Sequence, residues 1–270
     1  MKTKAPSTPW VLYLSMALAL LAPLAACNSL PVDAGKDIHT ASDETSTQRR
    51  ARIKLELASA YFSRGELPTA LDEVKQSIAL NPGSADAFDL RGLIYAALGK
   101  DDLAADSYRE ALRIDPSNGD TLHNYGWFRC LRGQYPEADG LFAKALAVSQ
   151  YREVTRTLLA RGVCQARAGK LAEAEATLQR SYQLDPSNPA VGTNLANVLY
   201  REHQYERARF YIGRVNDNPD LSNAETLWLA ARIERKLHND QAFRDLAAQL
   251  RSRFPSSPET LALDQGRFDD

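Results

Sequence analysis

Residues 85–118 read ADAFDLRGLIYAALGKDDLAADSYREALRIDPSN, and the same pattern recurs along most of the chain. Gly92 holds the eighth position of this unit, Gly99 the fifteenth, Ala104 the twentieth, and Pro116 stands near the end. Aligned on the eighth position, six units follow one another at Ala58, Gly92, Gly126, Gly162, Ala196 and Ala230, spaced 34, 34, 36, 34 and 34 residues apart. The twentieth position is alanine in each: Ala70, Ala104, Ala138, Ala174, Ala208 and Ala242. The fifteenth is Gly65, Gly99, Gly133 and Gly169, then His203 and Leu237. Pro82, Pro116, Pro186, Pro219 and Pro255 close five units, and the third lacks its proline. A fixed period of this length is the mark of stacked supersecondary units.

Each position has a physical reason. Small residues at eight and twenty let two antiparallel helices cross closely, because no side chain protrudes there. Glycine at fifteen suits a turn with a left-handed residue. The late proline cannot continue a helix and so ends the second one. Tyr61 and Tyr95 in first helices and Tyr108, Phe142, Leu178 and Ile212 in second helices fill the remaining core. Asp115-Pro116-Ser117-Asn118 and Asp185-Pro186-Ser187-Asn188 are near copies of a helix stop followed by capping residues. No strand-like alternation is found, so the expected fold is all-α.

This pattern resembles the tetratricopeptide repeat (TPR) family over residues 51–256. The resemblance implies six helix-turn-helix repeats, twelve helices wound into a right-handed superhelix with a concave groove. The sixth repeat is degenerate, as capping repeats tend to be, and residues 257–270 are left as a C-terminal tail.

The chain before the repeats divides in two. Lys2 and Lys4 precede an apolar run of 17 positions from Trp10 to Ala26. A basic start, an apolar stretch and small residues before a cleavage point make a secretory signal. Leu24-Ala25-Ala26-Cys27 resembles the bacterial lipobox, which implies a lipoprotein signal peptide over 1–26 and acylation of Cys27. An ordinary signal peptide and a short membrane anchor are the alternatives, the run being marginal for a spanning helix. With Asn28 rather than Asp after the cysteine, the same resemblance implies sorting to the outer membrane. Residues 27–50 then carry the lipid and a polar tether. Its 21 residues from Asn28 to Gln48 would span roughly 25 Å root-mean-square as a flexible chain.

Formal charge is −1 for the whole chain, and −3 from Cys27 onward once Lys2 and Lys4 are removed. That balance offers no footprint for a nucleic-acid backbone. His39, His123, His203 and His238 have no metal-ligand spacing. Gly92 to Lys100 and Gly162 to Lys170 fall short of a phosphate loop, since Asp101 and Leu171 follow the lysines and no strand precedes them. No catalytic set, cofactor, metal or small-molecule substrate is expected. Function in such a scaffold lives in a surface.

In a TPR, positions two, five, nine, twelve and thirteen of each first helix line the groove. In repeat three these are Asp120, His123, Trp127, Cys130 and Leu131, and in repeat five they include Thr193, Asn197, Tyr200 and Arg201. Asn124 and Asn194 sit one place along. Trp127 reads either as an anchor for a bound segment or as packing against a neighbouring helix. Asn124, Trp127, Asn197 and Tyr200 are the expected protein-binding residues. With Cys27 acylated, Cys130 and Cys164 remain. They fall on neighbouring first helices in an oxidising compartment, which suggests a disulfide. Two small buried hydrophobes are the other reading.

His123-Asn124-Tyr125-Gly126-Trp127-Phe128-Arg129-Cys130, then Gln134-Tyr135, Ala138 and Tyr151, narrow the match. They resemble the type IV pilus biogenesis and stability lipoproteins of the PilF/PilW family. Arg152 and Ala160-Arg161 depart from that pattern. The resemblance implies a lipid-anchored outer-membrane pilotin whose partner is the pilus secretin subunit. A lipoprotein scaffold of the β-barrel insertion machinery or of cell-wall synthesis is the runner-up.

Overall fold

The computed structural model describes residues 44–268. The expected signal peptide, Cys27 and most of the tether lie outside the described residues. Thirteen α-helices and no strand occur among the described residues: α1 Ser46–Ser63, α2 Leu67–Leu80, α3 Ala85–Ala97, α4 Asp101–Ile114, α5 Gly119–Leu131, α6 Tyr135–Ala147, α7 Val154–Arg167, α8 Leu171–Leu184, α9 Pro189–Arg201, α10 Tyr205–Asn216, α11 Ala224–Lys236, α12 Asp240–Arg253 and α13 Pro258–Asp264. None is long and apolar enough to cross a membrane. The fold is an all-α TPR superhelix.

Helices α1 to α12 pair as six hairpins, and the sizes of two facing residues set each crossing. The eighth residue of a repeat meets the residue sixteen places on. Where that partner is large, the eighth residue is glycine. A Cβ on Gly92 would lie 2.7 Å from the Tyr108 ring, one on Gly126 3.0 Å from Phe142, and one on Gly162 2.5 Å from Leu178. In the first and fifth repeats alanine stands instead and the counterpart is β-branched: Ala58 shares a buried cluster with Val74, and Ala196 with Ile212. Ala70, Ala104, Ala138, Ala174 and Ala208 at the twentieth position are wholly buried.

The turn residues Gly65, Gly99, Gly133 and Gly169 all have positive φ, as the spacing predicts. His203 adopts the same conformation at φ 61°. The sixth repeat corrects the alignment. Its left-handed residue is His238, at φ 57°, and Leu237 is an ordinary helix end. The register there is one residue later than expected. Ala231, wholly buried, takes the crossing position assigned to Ala230, and Phe243 falls where Ala242 was expected.

The segment 257–270 corrects the expected count of twelve helices. Ser257 caps α13 by accepting from the Thr260 amide, with Pro258 in the first turn. The Thr260 hydroxyl donates to the Phe254 carbonyl at 2.8 Å, and Leu263 is buried. Phe268 packs on Trp228 and Phe243, 5.3 and 5.7 Å between ring centres. An array needs a lid on the open end of its core, and α13 with Phe268 supplies it.

Candidate protein-binding groove

Odd-numbered helices from α1 to α11 touch their odd-numbered neighbours in adjacent repeats, whereas no two of the even-numbered helices touch. The array therefore curves toward the first helices, and their exposed positions line the concave face. Three zones follow one another along it.

The N-terminal zone is acidic. Asp86 and Asp89 on α3 face Asp120 on α5. Asn118, which caps α5 by accepting from Thr121, also donates to Asp86 at 3.0 Å. Asn124 donates to Asp89 Oδ2 at 2.8 Å, while Asp89 Oδ1 is buried without a partner. Burial pushes the Asp89 carboxyl up to about 7, and the nearby Asp86 and Asp120 charges add to it against the hydrogen bond from Asn124. Asn124, expected to be open to a partner, is thus spent on joining α5 to α3.

The middle zone is the seam between repeats three and four, where the spacing is 36. The two additional residues bring Tyr151 onto Gly119, where any Cβ would overlap the ring. The Tyr151 hydroxyl lies 2.9 Å from Thr157 Oγ1, which in turn lies 2.9 Å from His123 Nδ1. His123 sits edge-on to Phe142. Burial, aided by the charge of Arg156, lowers its pKa to about 4, so the ring is neutral at neutral pH. Arg156 reaches Asp120 across the seam at 2.8 Å. Cys130 on α5 and Cys164 on α7 are joined by a disulfide, with a Cα–Cα distance of 5.8 Å. Both are buried in a cluster with Ala138 and Phe142, and Trp127 packs against it. Trp127 is half-buried, and the Arg167 guanidinium covers its ring at 5.4 Å.

The C-terminal zone is basic. Between repeats four and five lies a cavity of about 210 Å³ lined by Val163, Ala166, Arg167, Leu178, Asn194, Asn197, Val198 and Arg201. Asn197 is exposed at its rim, as the sequence predicts. Tyr200 is not the open anchor expected: it is 8% exposed, lies against Tyr205, and is covered by Arg232 at 4.6 Å. The structure thus keeps all four expected groove residues on first helices and leaves Asn197 and part of Trp127 to a partner. Sequence reasoning missed Asp89 and the arginines Arg167 and Arg232. The recurrence of arginine at position thirteen in Arg167 and Arg201 was the available signal. Among the described residues no three His, Cys, Asp or Glu side chains gather as a metal site.

Models of the tetratricopeptide repeat match residues 50–119 and 132–189, 107–139, and 165–227. The type IV pilus assembly protein PilF of Pseudomonas aeruginosa is 28% identical over 232 residues, covering 86% of this chain and 87% of its own. The crystal structure of PilW, described as a widely conserved type IV pilus biogenesis factor, superposes with a TM-score of 0.74 at 31% identity, covering 79% of this chain and 97% of that one. The structure of Pseudomonas aeruginosa PilF gives a TM-score of 0.71 at 25% identity, over 83% of this chain and all of the other.

Proposed function

We propose, for a chain that belongs to the tetratricopeptide-repeat family of type IV pilus biogenesis factors typified by PilF and PilW, that it is a pilotin: an outer-membrane lipoprotein that binds the pilus secretin subunit and promotes its localisation and multimerisation. Family membership makes it a repeat scaffold of pilus biogenesis, and the finer role is read from its parts. The observation that carries it is the continuous concave face of six first helices, a surface shaped for a segment of another protein. The lipobox-like Leu24-Ala25-Ala26-Cys27 supports an anchor that would hold this face beside the membrane.

The action is physical. A secretin subunit crossing the periplasm exposes surfaces meant for its neighbours. A scaffold that covers part of that surface, and is itself tethered to the outer membrane, delivers the subunit and raises its local concentration until subunits associate. The protein acts by binding, with no chemical step. Deletion of the gene, with secretin multimers read on a gel and pili counted, tests this. Loss of multimers restored by the wild-type chain, and restored poorly by Cys27→Ala, is the expected result. Normal multimers and pili in the deletion strain would overturn it.

A further inference from the structure

Three arginines on consecutive seams of the concave face each reach back to the preceding first helix. Arg167 on α7 reaches back over the Trp127 ring on α5. Arg201 on α9 donates from Nη1 to the Ala166 carbonyl on α7 at 3.0 Å. Arg232 on α11 lies over the Tyr200 ring on α9 at 4.6 Å. Each guanidinium is thus pinned by one face or one nitrogen, and its remaining N–H groups are held in place. None of the three forms an ion pair among the described residues, whereas Arg156, Arg161 and Arg207 elsewhere all do. Arg232 Nε is in addition buried with no hydrogen-bond partner. The acids at the other end of the groove, Asp86, Asp89 and Asp120, lie on α3 and α5 and not on the helices that carry the three arginines. Asn194 and Asn197 line the cavity between the first two rungs, and Asn194 Nδ2 is already given to the Ala190 carbonyl.

We propose that this arginine row is the specificity element of the groove and that it binds an extended, acidic peptide segment. The inference rests on reading the groove as the protein-binding face. Guanidinium groups laid over aromatic rings, as in Arg167 and Arg232, leave their edge N–H groups for carboxylates, the geometry of bidentate pairing, and Arg201 keeps its second terminal nitrogen for the same use. Exposed carboxamides beside the row suit the peptide bonds of a chain lying between the rungs. The register follows from spacing. Packed helices lie about 10 Å apart, and a peptide in the extended polyproline II conformation rises about 3.1 Å per residue and turns the same face to the groove every third residue. One rung therefore corresponds to about three residues, so the matching segment carries Asp or Glu at every third position, three times.

The test uses the full chain carrying Cys27→Ala, which prevents acylation. The probe is a fluorescein-labelled, end-blocked peptide of about nine residues with Glu at every third position and Ser, Thr and Gly between, alongside the same peptide with Gln. The Glu peptide is expected to bind at least about tenfold more tightly than the Gln peptide, and to weaken as salt is raised. The triple variant Arg167→Gln, Arg201→Gln, Arg232→Gln is expected to lose about tenfold or more toward the Glu peptide, with an unchanged circular dichroism spectrum. Arg180→Gln, Arg214→Gln, Arg244→Gln, an equal charge change on second helices, is expected to bind as wild type. Equal affinity for the two peptides, an unaffected groove variant, or equal loss in both variants would overturn the proposal. So would binding to phosphatidylglycerol vesicles, abolished by the groove substitutions, in a protein that ignores the peptide: that assigns the row to a lipid surface. Multimers in the deletion strain judge the pilus role separately, since they do not depend on which peptide the purified protein prefers.

Discussion

Removing the Cys130–Cys164 bond should cost this protein a large part of its stability. The bond spans 34 residues. Loop-closure entropy for that span comes to about 3.8 kcal/mol at 25 °C. Both cysteines are buried, 1% and 2% exposed, among Ala138, Phe142 and Trp127. Serine would add the cost of burying a hydroxyl, so Cys130→Ala with Cys164→Ala is the cleaner perturbation. It leaves only the entropy term and a small cavity worth about 1 kcal/mol. At roughly 2–4 °C per kcal/mol for a domain of this size, the combined loss of about 4.8 kcal/mol should lower the melting temperature by about 10–19 °C. Circular dichroism melts with and without reductant give the assay. Reductant should reproduce most of the shift in wild type and leave the double variant unmoved. Two thiols that alkylate in protein purified without reductant, or a shift below about 3 °C, would refute the reasoning.

Gly92→Ala puts a methyl group 2.7 Å from the buried Tyr108 ring and is expected to cost about 1–3 kcal/mol by urea denaturation; neutrality would mean that the two helices can part cheaply. Asp89 has its folded pKa raised from 3.8 to about 7. The native state therefore holds the proton more tightly than the unfolded chain, and stability falls as pH rises from about 4 through 7, by on the order of 4 kcal/mol for the full shift. Asp89→Asn cannot ionise and still offers an acceptor to Asn124. Its stability should gain on wild type by on the order of 2–4 kcal/mol between pH 5 and 8, and denaturation curves that run parallel across that range would dismiss the assignment.

What the sequence made legible is what the backbone demands. Gly92, Gly126 and Gly162 at the crossings, and Gly65, Gly99, Gly133 and Gly169 at the turns, report local geometry that only small or left-handed residues meet. The sixth repeat misled because Ala230 and Ala231 are adjacent and either fits the crossing. His238, an unusual left-handed histidine, carries no signature comparable to glycine. Helix α13 had its signal, Ser257 followed by Pro258, but seven residues are too few to show a period. The groove was harder for a different reason. Position within a repeat tells which side a residue faces, not what it meets there. Asn124 and Tyr200 are engaged by Asp89 and Arg232, residues 35 and 32 places away, and those partnerships depend on how tightly successive repeats curl.

The same curl explains why the irregular seam matters. A repeat array is a chain of nearest-neighbour contacts, so one loose interface would let its two halves swing independently. Here the interface with the odd spacing is the one tied by the disulfide, by Tyr151 through Thr157 to His123, and by Arg156 to Asp120. Those ties hold the acidic zone of Asp86 and Asp89 in fixed register with the basic row of Arg167, Arg201 and Arg232. A groove whose ends differ in sign favours one direction in any segment laid along it: carboxylates toward α11 and cations toward α3. The reverse orientation would set like charges face to face. On the proposed reading of the groove as the binding face, the seam thereby makes two patches of opposite charge a single oriented site.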